Sequence, residues 1–322
     1  MSTPMTFNRH RHWAQLNEFS FIAGMRLLFW VARIFGRWPF RLALYPVALW
    51  YLLARPPARA ASRDYLRRMA HFNPALKIDS GPLGVLRHFV SFGESILDKM
   101  LLWSGSWDFD SVNCHGREII VEQIAARRGA ILICAHLGNL ELCRVLARQQ
   151  PKFKLTVLLH TRHAARFNRL LAQLNPESEL DLMQVTEMTP ATAVSLADKV
   201  AHGEFVAIAG DRVPVTMNGR TAEATFLGKT ARFPVGPYVL ADLFRCPVFL
   251  LFCRRTGSGW EVHFEPFRHS IELPHAKRDA SLAALVVDYA RRLEYFCQRA
   301  PLEWYNFYDF WNVDSMNRAD AF

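Results

Sequence analysis

The stretch "ICAHLGNLELCR" (133–144) sets His136 and Glu141 five positions apart where an apolar run ends. An imidazole beside a carboxylate is a general-base device. The carboxylate fixes the tautomer and stabilises the imidazolium, and the other nitrogen takes a proton from an attacking hydroxyl. Spacing alone carries little weight: with twelve histidines and 29 acids in 322 residues, roughly one H-x4-[DE] match arises by chance. On one continuous helix, five residues turn through roughly 500°, so the two side chains would point apart. They meet if His136 leaves the end of a strand and Glu141 sits in the first turn of the next helix. Gly138 and Asn139, between them, are turn and cap residues, and strand ends of α/β sheets are where sites form.

Other chemistries find no support. G-x-S-x-G is absent, which argues against a serine hydrolase. Neither G-x-G-x-x-G nor G-x-x-x-x-G-K-[ST] occurs, and H-E-x-x-H is missing too. The six cysteines, Cys114, Cys134, Cys143, Cys246, Cys253 and Cys297, form no C-x-x-C pair. They read as reduced thiols in a cytosol-facing protein, and no metal or other cofactor is expected.

The elements that must position His136 follow from hydrophobic period. "GAILICA" (129–135), "FKLTVLLH" (153–160), "DLMQV" (181–185), "EFVAIAG" (204–210), "CPVFLLFCRR" (246–255) and "GWEVHFEPF" (259–267) read as strands. Helices are expected at 55–80, 82–103, 140–150, 164–174, 190–203, 235–245 and 281–301. Strand alternates with helix, so the fold class is α/β with a mostly parallel central sheet flanked by helices. Residues 1–80 are expected to form a basic helical segment and residues 81–322 the α/β domain.

Charge is concentrated at one end. Residues 1–70 hold eleven arginines and no lysine against Glu18 and Asp64, so they carry +9 of the net +10. Such asymmetry points to an anionic partner. The interleaved residues are Leu, Phe, Trp, Val and Ile, which favours anionic membrane lipid over nucleic acid. Arg26, Arg33, Arg37 and Arg41 share one helical face, which suits a helix lying in the membrane interface. A spanning helix and a hairpin packed on the domain are the alternatives. The longest charge-free run there, thirteen residues, is short of the roughly 20 that a span needs.

Four blocks together resemble a known family. "AHLGNLELC" is similar to the H-x4-[DE] block of the lysophospholipid acyltransferases, in the bacterial lipid A late acyltransferase branch. "VAIAGDRVPV" (206–215), "FLGKTARFPVGPYVLADLFRCPV" (226–248) and "PLEWYNFYDFW" (301–311) resemble further blocks of that branch, in the right order. The N-terminal stretch looks more like a subgroup found with aryl polyene or other specialised-lipid pathways. The resemblance implies an acyltransferase that moves an acyl group from an acyl carrier protein or coenzyme A thioester to a hydroxyl or amine of a lipid or glycolipid. It implies His136 as base with Glu141, and the cytoplasmic face of the cell inner membrane as the location. A hydrolase on the same site and a non-catalytic acyl-binding protein are the competing readings. By the same resemblance Asp211 belongs to the active site, against a plain strand-end ion pair, and Arg212 beside it binds substrate. Arg162, after the second strand, either stabilises an oxyanion or phosphate or lies on a solvated basic helix face. Phe226 and Gly228 either let the backbone approach substrate or form a tight turn.

Overall fold

The computed structural model describes residue 30 and residues 34–103, 111–143, 153–159, 181–184, 189–213, 220–257 and 259–312. Its centre is a seven-stranded sheet built from β1 (Val112–His115), β2 (Ala130–Cys134), β3 (Leu155–Leu159), β4 (Asp181–Gln184), β5 (Phe205–Ala209), β8 (Val248–Thr256) and β9 (Gly259–Arg268). The spatial order is β1-β9-β8-β2-β5-β3-β4. All neighbours run parallel except β8 and β9, a hairpin. The mixed α/β class with a mostly parallel sheet, expected from the alternation, is the one observed.

Strand β2 shows why a continuous apolar run is needed here. Ile131 and Ile133 enter one core, shared with α2 (Pro56–Phe72), α5 (Pro190–Ala201), α6 (Gly236–Phe244) and α7 (Arg278–Arg299). Ala130, Leu132 and Cys134 enter the other, shared with α1 (Arg37–Ala54) and α4 (Arg117–Ala125). Helix α3 (Pro82–Trp103) serves both, with Val85 and Phe89 in the first and Leu97 and Met100 in the second. A parallel strand covered on both faces cannot alternate apolar with polar. Helix α5 starts where its sequence dictates: Pro190 opens it, and the Thr189 hydroxyl accepts from the Thr192 backbone N–H at 3.2 Å.

Two elements differ from the sequence reading. Strand β1 is four residues long and half exposed, too short to leave a period. Strands β6 (Thr221–Phe226) and β7 (Lys229–Pro234) form a separate antiparallel hairpin. Its two-residue turn is Leu227–Gly228, both at positive φ (49° and 76°). Such a turn matches the strand twist and favours glycine in its second position. The helices expected at 140–150, beyond residue 143, and at 164–174 lie outside the described residues.

No helix among the described residues is long and apolar enough to cross a membrane. Helix α1 is amphipathic in an unexpected sense. Phe40, Leu44, Ala48 and Leu52 pack inward, and two arginines, themselves more than half exposed, reach across to a neighbouring helix. Arg37 reaches Asp98 at 2.7 Å and Arg41 reaches Glu94 at 2.7 Å, both on α3. Arg255 of β8 bonds the same two carboxylates. The outward face is apolar: Trp38, Leu42, Val47, Leu49, Trp50 and Leu53 are all more than half exposed. The expected arginine stripe is thus, at Arg37 and Arg41, the tether of the helix. Arg26 and Arg33 lie outside the described residues.

Candidate active site

Strands β2 and β5 are parallel neighbours in the register Cys134↔Ala209. Two residues beyond each strand end stand His136 and Asp211, so this register sets them side by side. The His136 Nδ1 lies 2.8 Å from Asp211 Oδ1, and the His136 backbone N–H donates to Oδ2 at 2.8 Å. The Trp304 indole N–H also donates to Oδ2, at 2.9 Å. Asp211 is sealed from water, whereas the His136 side chain keeps 32% of its surface exposed.

The segment 303–308 clamps this pair. Leu137 bridges Trp304, the Tyr305 N–H donates to the His136 carbonyl at 2.8 Å, and the Gly138 N–H donates to the Glu303 carbonyl at 2.9 Å. The Tyr308 hydroxyl donates to the Asp211 carbonyl at 3.2 Å. Gly138 has φ +64°, and a Cβ there would come within 2.2 Å of the Cys253 carbonyl oxygen. Only glycine allows this turn to press against β8.

The electrostatics assign the proton. Burial would raise the Asp211 carboxyl, but the His136 charge and bond, followed by Arg212, outweigh it and hold it below the usual carboxylate range. An ionised carboxylate only accepts, so His136 carries its proton on Nδ1. Burial, and then the Arg212 charge, push the His136 imidazole below its ordinary value, with Asp211 opposing. The ring is therefore neutral near pH 7, and its Nε2 lone pair is not committed to Asp211.

The sequence pairing of His136 with Glu141 needs correction: the carboxylate on Nδ1 is Asp211, 75 residues away. Glu141 sits in a short 3-10 turn, Leu140–Cys143, where its N–H donates to Asn139 Oδ1 at 3.2 Å. Its charge acts on Lys99 of α3. Burial lowers that ammonium from its ordinary value, Glu141 opposes the shift and Arg212 adds to it. Lys99 also acts on His136, which makes it a site residue that the sequence gave no reason to select. Arg212 stands beside the pair and donates to the Tyr305 carbonyl at 3.2 Å. Trp304 was also missed in this role; only the block "PLEWYNFYDFW" signalled it. Phe226 ends β6, and Gly228 lies in the turn that follows it. The Phe226 ring is fully buried, edge-on to Trp304 at 5.2 Å, and Gly228 supplies the left-handed position. Arg162 lies outside the described residues.

A deprotonating histidine held by a buried acid at the ends of parallel strands is a site for activating a nucleophile. Residues 102–312 match the family described as bacterial lipid A biosynthesis acyltransferase. The match covers well over half of the chain, and the chain belongs to that family. It is thus an acyltransferase, with an acyl donor and a lipid acceptor. A comparison with curated proteins finds no match.

Proposed function

We propose that the protein transfers a fatty acyl group from a thioester, carried by an acyl carrier protein or coenzyme A, to a hydroxyl or amine of a lipid or glycolipid. The observation that carries this reading is the His136–Asp211 bond at Nδ1 beside a partly exposed ring edge. The Nε2 atom takes the acceptor proton as the acceptor oxygen or nitrogen attacks the thioester carbonyl. The tetrahedral intermediate then expels the thiolate, which is protonated by the imidazolium. Arg212 and Lys99 supply positive charge around the pair for the anion that forms. Glu141 opposes the lowering of Lys99 and is a positioning residue.

The same reading places the protein on the cytoplasmic face of the inner membrane, with the apolar face of α1 in the lipid interface. That face carries two tryptophans, Trp38 and Trp50, 70% and 67% exposed, a residue type favoured at membrane surfaces. The test is acyl transfer from labelled carrier-protein and coenzyme A thioesters into lipid extract. Wild type should give acylated lipid, and His136→Ala should lose on the order of 10²–10⁴ in rate with an unchanged melting point. Free fatty acid as the main product would make water the acceptor and the enzyme a hydrolase.

A further inference from the structure

A cleft of about 380 Å³ opens between α1, α3 and the segment that follows α7. Three arginines line it from three elements: Arg41 on α1, Arg87 on α3 and Arg299 at the end of α7. Arg41 is engaged with Glu94. Among the described residues Arg87 and Arg299 have no carboxylate within ion-pair distance, and Arg299 stacks on the Tyr295 ring at 3.8 Å. Two acids share the cleft, and neither neutralises these guanidinium groups. Glu94 is taken up by Arg41 and Arg255. Burial lifts Glu303 to about 7, opposed by the bond it accepts from the Arg255 N–H. The cleft therefore presents uncompensated positive charge around a hollow with the Ser91 side chain in its lining. Exposed Trp38, Leu42 and Leu49 stand on the same helix as Arg41.

We propose that this cleft binds the phosphodiester headgroup of an anionic phospholipid, with Arg87 and Arg299 as its donors and the acyl chains lying along the apolar face of α1. Guanidinium groups match phosphate oxygens in geometry and charge. The proposal rests on the reading of α1 as membrane-facing, and it gives that face a lipid preference. It also puts the lipid close to the chemistry: Glu303, in the cleft lining, holds Gly138, and Tyr305, two residues on, holds His136. The cleft is separate from His136, which is not among its lining residues.

The test is calorimetric titration of the full chain in non-ionic detergent with dihexanoyl phosphatidylglycerol below its micelle concentration. A monomeric probe removes the general attraction of a charged bilayer. Saturable one-to-one binding is expected. The double variant Arg87→Gln/Arg299→Gln should weaken it at least tenfold, and Lys229→Gln/Lys277→Gln, two exposed lysines outside the cleft, should not. Inorganic phosphate should bind more weakly than the lipid; equal affinity would make the cleft a site for free phosphate and overturn the proposal. Absent binding, or binding indifferent to Arg87 and Arg299, would overturn it as well. Binding should persist in His136→Ala, which separates it from the catalytic reading. Cleft binding without flotation on neutral vesicles would uphold the site and remove the membrane placement of α1.

Discussion

Two imidazoles stand at opposite ends of Trp304. His88, on α3, is fully buried and has both ring nitrogens occupied. Its Nε2 donates to the Trp304 carbonyl at 3.0 Å, and its Nδ1 accepts from the Ser62 hydroxyl at 2.9 Å. His136 has one nitrogen bonded to Asp211, which the Trp304 indole also holds, and an edge in contact with solvent. Both rings are pushed toward neutrality, His88 to about 4 by burial and His136 by burial and Arg212. The difference between a structural and a reactive histidine thus lies less in the pKa than in a second nitrogen that no described residue engages. The same contrast separates the acids. Asp98 is as deeply buried as Asp211, yet its partners are the guanidinium groups of Arg255 and Arg37 rather than an imidazole. It ties α1 and β8 to α3.

Breaking the closed network should therefore damage the fold rather than the chemistry. Asp98→Ala leaves the Arg255 and Arg37 charges facing an emptied buried site. It should destabilise the protein by about 3–5 kcal/mol, read as a lowered midpoint in denaturant unfolding. The folded fraction should turn over at the wild-type rate. A catalytic loss beyond the loss of folded protein would mean that the α1–α3 tether also shapes the site.

The closed histidine makes a pH-dependent contribution. His88 sits near 4 in the fold against an ordinary 6.5, so between these values the unfolded chain binds a proton that the native one refuses. Its neutral form stabilises the fold fully above pH 6.5, and this is lost as pH falls from 6.5 to about 4. The contribution is about 3 kcal/mol. Urea unfolding across that window should show the slope in wild type, and His88→Gln should flatten it. An unchanged slope would show that the His88 ring does not stay neutral in the fold.

How much of this was legible in the sequence depends on range. His136 was visible as a histidine at a strand end, and the buried strands β2, β5 and β8 were visible as apolar runs. Asp211 was named through its block, but its bond to His136 depends on a parallel register between strands 75 residues apart, which no local spacing encodes. Five-residue proximity made Glu141 the obvious acid, and distance in the chain hid the actual one. Arg37 and Arg41 failed for a related reason. Their common face was read correctly, but Glu94 and Asp98, which engage it, belong to another helix. Gly228 was open to two readings, because a type I′ turn and a close backbone approach both ask for glycine.

The central claim is that neutral His136, oriented by Asp211, is the base. It is tested most directly by the pH dependence of kcat/KM for wild type, Asp211→Asn and Glu141→Gln. Because His136 is pushed below its ordinary value, the acid limb of the profile should fall below about 6.5. Asp211 pulls the His136 pKa upward, so Asp211→Asn should move the acid limb to lower pH. It should also cut turnover tenfold or more, since the tautomer is no longer fixed. Glu141→Gln should leave the limb where it is. An acid limb that follows Glu141 and ignores Asp211 would contradict the account, and the carboxylate five residues from His136 would then be its partner.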